Sequence, residues 1–309
     1  MTKSLAGAPL DLSDAPAKGS DLFLIDGNNL AYRAFFALPE DIATSYGQPT
    51  NALLGFANML FKLLTDYRPR GVAVAWDTRP TERLEAATAA AVEYKAGRKP
   101  MPSILGAQFP HFRPIVEGFG YRNVAAPGWE ADDVIATLAT AADRAGLRTC
   151  VVSTDRDAFQ LLTERTTLMM TPRGVASVEV YTPARLEARY GITPAQIPDF
   201  IGLKGDTADN IPGIPGIGEK TAAELLQKFG SLEGVLAHAG ELTPAKRKTL
   251  EAHAEQGRHA KGLATMRRDL PLPITVEDLL GTPPDRSGLA AVLERFEFKN
   301  LKARLHLLD

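Results

Sequence analysis

One cysteine is all that the 309-residue chain contains. Cys150 alone excludes an internal disulfide and cannot make a thiolate metal site. Its apolar neighbours point to a buried thiol, expected in a reducing compartment. Long apolar runs are missing too: none approaches the roughly 18 residues of a membrane-spanning helix. Histidine is scarce, with five scattered copies, too few for a histidine metal site. Neither a Ser-His-Asp nor a Cys-His nucleophile arrangement stands out. The first 20 residues are rich in Ala, Pro, Ser and Asp and lack the apolar stretch of a secretion signal. They are expected to form a flexible tail.

Against these absences stand three carboxylates where short apolar runs end. Asp26 follows Leu22-Phe-Leu-Ile25, Asp77 follows Val72-Ala-Val-Ala-Trp76, and Asp155 comes just after Cys150-Val-Val-Ser153. The runs are β-prone and separated by helix-like segments, the pattern of a mostly parallel α/β sheet flanked by helices. In such a sheet the carboxyl ends of the strands line one crevice, where ligands bind. Further strands are expected near 121–124, 166–170 and 176–180. Helices are expected over 51–67, near 105–118 and over 130–145, with Gly27-Asn28-Asn29 as a turn. Residues 78–103 read as an exposed, alanine-rich helix followed by a basic loop. From about 190 the pattern is helical, broken by the Gly- and Pro-rich segment Gly205 to Gly218, so a domain boundary is expected near 190.

More acids join the first three. Asp155 and Asp157, two apart beyond a strand, share a face if the chain stays extended. Glu130 and Asp133, with Asp132 beside them, can share the first turn of a helix, and Asp206 and Asp209 have the same spacing. Like charges so gathered repel unless a cation lies between them. Oxygen-only donors favour Mg²⁺ or Mn²⁺, and so many carboxylates suit two ions about 4 Å apart, as in phosphodiester-cleaving enzymes. The net charge is −2, with 37 acids against 35 bases. Setting the nine site acids aside leaves 28 against 35, so the rest of the molecule is mildly basic, which fits a polyanionic substrate.

Six motifs in order resemble the 5′ nucleases: the 5′→3′ exonuclease domain of bacterial DNA polymerase I, bacteriophage 5′ nucleases and flap endonucleases. They are Asp26-Gly-Asn-Asn-Leu-Ala-Tyr-Arg33, Tyr94-Lys-Ala-Gly-Arg98, Gly128-Trp-Glu-Ala-Asp-Asp133, Ser153-Thr-Asp-Arg-Asp157, Gly205-Asp-Thr-Ala-Asp-Asn-Ile-Pro-Gly213 and Gly216-Ile-Gly-Glu-Lys-Thr221. The resemblance runs over about residues 21–309 and includes the ending Phe296-Glu-Phe-Lys-Asn-Leu301. It implies a PIN-like nuclease core over 21–189 with a helical arch at about 78–103. A helical DNA-binding region over 190–309 would carry a helix-hairpin-helix at about 205–230.

By the same resemblance, Asp26, Asp77, Glu130 and Asp132 would serve a first metal. Asp133, Asp155, Asp157, Asp206 and Asp209 would lie nearer a second. Lys95 and Arg98 would reach the scissile phosphate from the arch, and Tyr94 would stack on a terminal base. Arg33, Arg83, Gly216, Gly218, Lys220 and Thr221 would contact DNA, with K⁺ held by the hairpin carbonyls. Arg83 lies in Thr81-Glu-Arg-Leu-Glu85, where relatives of polymerase I usually have a Thr-Phe-Arg-His-Glu-like stretch. That departure, with a longer segment to Lys95, leaves the arch's shape open.

The implied activity is metal-dependent hydrolysis of DNA at a 5′ flap, nick or recessed 5′ end, in replication and repair. RNA of RNA–DNA primers is a further implied substrate. The implied setting is the bacterial cytoplasm at the nucleoid, as a monomer linked to or acting with a DNA polymerase. The rival readings are a catalytically silent DNA-junction binder, a small-molecule phosphatase with Asp155 or Asp157 as nucleophile, and a ribonuclease on the same core.

Overall fold

The computed structural model describes residues 2–5, 7–171, 178–281 and 285–308. A six-stranded sheet forms its centre: β1 (Leu22–Asp26), β2 (Gly71–Ala75), β3 (Arg122–Val124), β4 (Thr149–Val152), β5 (Thr166–Met170) and β6 (Glu179–Tyr181). Their spatial order is β3-β2-β1-β4-β5-β6, parallel except for β6. The order reverses between β1 and β4, which opens the crevice of a doubly wound sheet at their carboxyl ends. Register sets the acids level there. Asp26 pairs with Ala75, so Asp77 emerges two residues beyond it, and Ile25 pairs with Val152, so Asp155 emerges three beyond.

The central strands β1, β2 and β4 are largely apolar because both faces are covered. Leu22, Leu24, Ala73, Ala75 and Val151 point into one core, and Phe23, Ile25, Val72, Val74, Cys150 and Val152 into the other. This is the two-residue alternation of a pleated strand. Cys150 is fully buried, and burial pushes its thiol up to about 12.

Helices α1 (Gly27–Ala37), α2 (Asn51–Tyr67), α3 (Thr81–Ala89), α4 (Ser103–Gln108), α5 (Phe112–Gly118) and α6 (Ala131–Arg144) belong to the first part of the chain. The helix expected over 51–67 has those limits. Its first turn is capped from outside: Gln108, fully buried, accepts from the backbone N–H of Ala52 at 2.9 Å and of Leu53 at 3.1 Å. Such donors have no partner within their own helix. The single helix expected near 105–118 is two, joined by a 3-10 turn at Phe109–His111, where Pro110 lacks the N–H an unbroken helix needs. Gly27-Asn28-Asn29 is no turn but the start of α1. Asp26 caps it, accepting from Asn29 N–H at 2.9 Å.

The second part begins with α7 (Pro183–Tyr190) and α8 (Ile197–Lys204), then a short hairpin of β7 (Gly205–Asp206) and β8 (Ile211–Pro212). After it come α9 (Glu219–Phe229), α10 (Leu232–Ala237), α11 (Pro244–Ala252), α12 (Ala254–Ala264), α13 (Arg286–Arg295) and α14 (Lys299–Ala303). Two expectations change here. Residues 190–309 do not pack as one unit: Leu289, Leu293, Phe296, Phe298 and Leu301 share the core of α2 and α5 under the sheet. Gly118 lets α13 approach closely, since a Cβ there would stand 3.2 Å from the Leu289 Cα. The expected tail is also packed. Leu12 is buried and its carbonyl accepts from Val180 N–H at 3.0 Å, while Ser13 O accepts from Arg185 at 2.7 Å. The strand expected at 176–180 falls partly outside the described residues.

Leu293→Ala therefore removes a side chain from the main core, at a cost of about 2–5 kcal/mol. Denaturant unfolding of the whole chain reads it. A loss below about 1 kcal/mol would mean that α13 is only a surface appendage.

Candidate active site

Two adjoining cavities of about 380 and 400 Å³ open at the strand ends and share Asn29, Arg98 and Asp155. The larger is lined by Asp26, Asp77, Asp132 and Asp155 beneath Lys95 and Tyr32. The other brings Asp155 together with Asp157, Asp206 and Asp209, backed by Phe159, Tyr190 and Phe200. Seven of the nine expected acids thus line the cavities, and Glu130 and Asp133 line neither.

Local structure explains each position. Asp77 accepts from Ala131 N–H at 2.8 Å, at the N-terminus of α6. Asp133 is fully buried and accepts from Arg267 N–H at 2.9 Å. The partial positive charge of that helix end offsets some of the crowding of acids. Asp155 accepts from Asp157 N–H at 2.9 Å and Asp206 from Ala208 N–H at 2.8 Å, so both turns are shaped by the acids themselves.

The crowding appears in the carboxyl groups. Burial, and then the charge of Asp77, push Asp26 well above the usual range. Burial and Asp132 carry Asp155 up to about 6, and burial with Asp155 and Asp206 raises Asp157 well above normal. Glu130 differs. Burial works against its ionisation, but Lys95 and Arg83 together hold its carboxyl below the ordinary value.

Three arch cations stand among these acids. Arg83 pairs with Glu130, Asp132 and Asp133; Lys95 with Glu130 and Asp209; Arg98 with Asp209. Among the described residues, no three Asp, Glu, His or Cys groups converge closely enough to hold an ion as the side chains stand. The donors nonetheless fit hard divalent cations, since every one is a carboxylate oxygen and their mutual repulsion calls for a cation.

The arch begins with the mostly exposed helix expected, but one face of it is buried. Arg83 and Ala87 face inward, and Ala87 joins Tyr94, Ile211, Ala260 and Leu263 in a small third core. Its far end is stitched to the β7–β8 hairpin: Lys95 N–H donates to Asp209 O at 2.9 Å and Asn210 Nδ2 to Glu93 O at 2.7 Å. Tyr94, expected to stack on a base, is 7% exposed, and its hydroxyl donates to Glu130 at 2.9 Å. Arg33 lies half-buried on α1, lines neither cavity, and leaves its Nε buried without a partner.

Residues 213–218 form a turn leading into α9. Gly213 lies so close to the Gly205 backbone that a Cβ would meet its nitrogen at 2.1 Å, and Gly216 adopts the left-handed φ of +76°. Gly218 precedes α9 in extended conformation, Thr221 lies in its first turn, and the Lys220 side chain is 89% exposed. Two residues missed from the sequence are Asn28 and Asn29. Asn28 accepts from Asp77 N–H at 3.0 Å, and Asn29 donates to the Thr154 hydroxyl at 2.7 Å, tying together the ends of β1, β2 and β4. Their place two and three residues after Asp26 was the available signal.

The same fold is found in solved nucleases. T5 5′-exonuclease with zinc bound superposes on 93% of this chain and 99% of its own, with a TM-score of 0.62 at 21% identity. The catalytic core of Rad2 in complex with DNA matches 97% and 95% at 0.62 and 15% identity. The chain itself belongs to the 5′–3′ exonuclease family. Residues 21–191 match the family's N-terminal resolvase-like domain and residues 192–287 its C-terminal SAM fold. DNA polymerase I of Bacillus caldotenax is 41% identical over 286 residues, 92% of this chain and 32% of that protein. The thermostable polymerase I of Thermus thermophilus is 41% identical over 290 residues, 93% of this chain and 33% of its own length. The chain thus spans about a third of the curated relatives it matches.

The raised carboxyl groups give a pH signature. Asp155 binds its proton up to about pH 6 when folded and to about 3.9 unfolded. The folded state then holds more protons between those values, so in a chelator stability falls as pH rises from about 4 to 6. Asp155→Asn keeps the capping acceptor without the charge. It is expected to melt above the unsubstituted chain at pH 7 in EDTA, with the gap closing near pH 4. Equal melting at both pH values would refute the crowding.

Proposed function

We propose that this chain is a structure-specific 5′ nuclease that hydrolyses DNA phosphodiesters at a 5′ flap, nick or recessed 5′ end, with Mg²⁺ or Mn²⁺. The observation carrying this is the double cavity: seven carboxylates in two groups that share Asp155, at the switch point of the sheet. Asp26, Asp77, Asp132 and Asp155 would hold one divalent ion, and Asp155, Asp157, Asp206 and Asp209 the other. Such ions supply a hydroxide nucleophile near neutral pH and neutralise charge developing at phosphorus.

The chain's own residues would do the rest. Lys95 and Arg98 line the cavities and, released from Glu130 and Asp209, would bind the scissile phosphate. Asn28 and Asn29 keep the strand ends, and so the carboxylates, in register. The unpaired backbone N–H groups at the start of α9, with Gly216, Gly218, Lys220 and Thr221, would bind a phosphate of the duplex. K⁺ at the carbonyls of that turn is part of the same reading, as is RNA in primer strands. Arg33, with its unsatisfied Nε, is a further candidate for a phosphate contact. Action beside a DNA polymerase, supported by the polymerase I relatives, and a monomeric state belong to the same reading. The silent junction-binder reading is disfavoured by the complete acid set.

Labelled 5′-flap, 3′-flap and nicked duplexes, each in Mg²⁺, Mn²⁺ and EDTA, test the reading in one gel. Cleavage confined to 5′ ends and lost in EDTA is expected. Asp155→Asn with Asp157→Asn should lower the rate at least about a hundredfold, since carboxylates of both groups go. A double variant cutting at the original rate would sink the assignment. Lys220→Ala should weaken binding to every duplex sequence alike and reduce the salt slope by about one. A sequence-dependent loss would count against a phosphate contact.

A further inference from the structure

Arg83 occupies a different place from the other two arch cations. Lys95 and Arg98 line the cavities, whereas Arg83 lines neither and is 8% exposed. Its guanidinium is spent on protein: one terminal nitrogen donates to Glu130 at 2.5 Å and lies 3.4 Å from Asp132, and the other donates to Asp133 at 2.7 Å. Asp133 has no exposed surface at all. Withdrawing the guanidinium to meet DNA would leave buried carboxylates without their counter-charge, a large penalty.

The backbone around Arg83 is fixed to the same place. The Thr78 hydroxyl lies 2.8 Å from the carbonyls of both Ala126 and Trp129. Gly128 has the left-handed φ of +86°, and a Cβ there would sit 2.8 Å from the Thr81 hydroxyl. The base of the arch is thus clamped onto the loop that carries Glu130, Asp132 and Asp133.

Glu130 connects the clamp to the cavities. One of its oxygens takes Arg83 and Tyr94, and the other takes Lys95. We infer that Arg83 is a positioning residue: it fixes Glu130, and through it Lys95 and Tyr94, over the acids, and is not itself a DNA contact. This rests on the nuclease reading but makes its own demand on the chemistry. Arginine is needed for its planar fork, which can bridge three carboxylates where an ammonium meets them singly.

The test uses the whole chain with Arg83→Met and Arg83→Lys. Three quantities are measured: 5′-flap affinity over a salt series in EDTA, single-turnover cleavage of bound flap in Mg²⁺, and the melting temperature. Affinity and salt slope should stay within about twofold of the unsubstituted chain. Cleavage from the bound complex should fall about tenfold or more in Arg83→Met, the scale of loss from a misplaced catalytic group. Arg83→Lys should recover part of it. If Arg83→Met does not fold, Arg83→Lys alone carries the comparison. A salt slope reduced by about one, with bound-state cleavage unchanged, would make Arg83 a DNA contact. A lower melting temperature as the only change would make it merely structural. Either overturns the inference, whereas an unsubstituted chain that cuts no 5′ flap overturns the nuclease reading instead.

Discussion

Repulsion among carboxylates crowded at the strand ends is the constraint to which the rest of the structure answers. Two unit charges about 4 Å apart interact by about 4 kcal/mol even at an effective dielectric constant near 20. Seven acids in two joined cavities would force the strand ends apart without compensation. Several devices supply it. The N-termini of α1 and α6 point backbone N–H groups at Asp26 and Asp77. Raised proton affinities at Asp26, Asp155 and Asp157 keep part of the charge neutral. Arg83, Lys95 and Arg98 contribute fixed positive charge from the arch.

The arch therefore has two kinds of cation. Arg83 is enclosed and belongs to the framework. Lys95 and Arg98 reach the cavities from a loop whose backbone is stitched to Asp209 and Asn210, which ties the end of the arch to the hairpin that carries Asp206 and Asp209. That arrangement explains how a basic loop stays near acids before any substrate arrives. A phosphate entering between them would compete with Glu130 and Asp209 for cations already held in place.

Much of this was legible in the residues, and the failures have physical causes. Strands such as Leu22–Asp26 stand out because both faces are buried, which leaves continuous apolar runs ending in an acid. The α2 helix was legible in full because its apolar residues recur at helical spacing. Helix α1 was missed because Gly27-Asn28-Asn29 has turn chemistry. Only the tertiary environment, with Asn28 and Asn29 each bonded to another strand end, makes it helical. Arg83 looked exposed because the segment around it is rich in charge and alanine, yet its three partners lie about fifty residues away. Seven of the nine acids reach the cavities, but no pattern in the sequence distinguishes Asp132, which lines one, from Asp133, which is sealed beneath Arg83.

The return of α13 to the first part of the chain bears on how the molecule is made. A ribosome delivers residues 21–191 first, with the apolar faces of α2 and α5 complete but lacking Leu289, Leu293 and Phe296 to cover them. Those faces stay open to water until about a hundred more residues have emerged, an interval in which exposed apolar surface invites misassociation. Since Asp206 and Asp209 also emerge after residue 191, the cleft reaches its final form only late in synthesis.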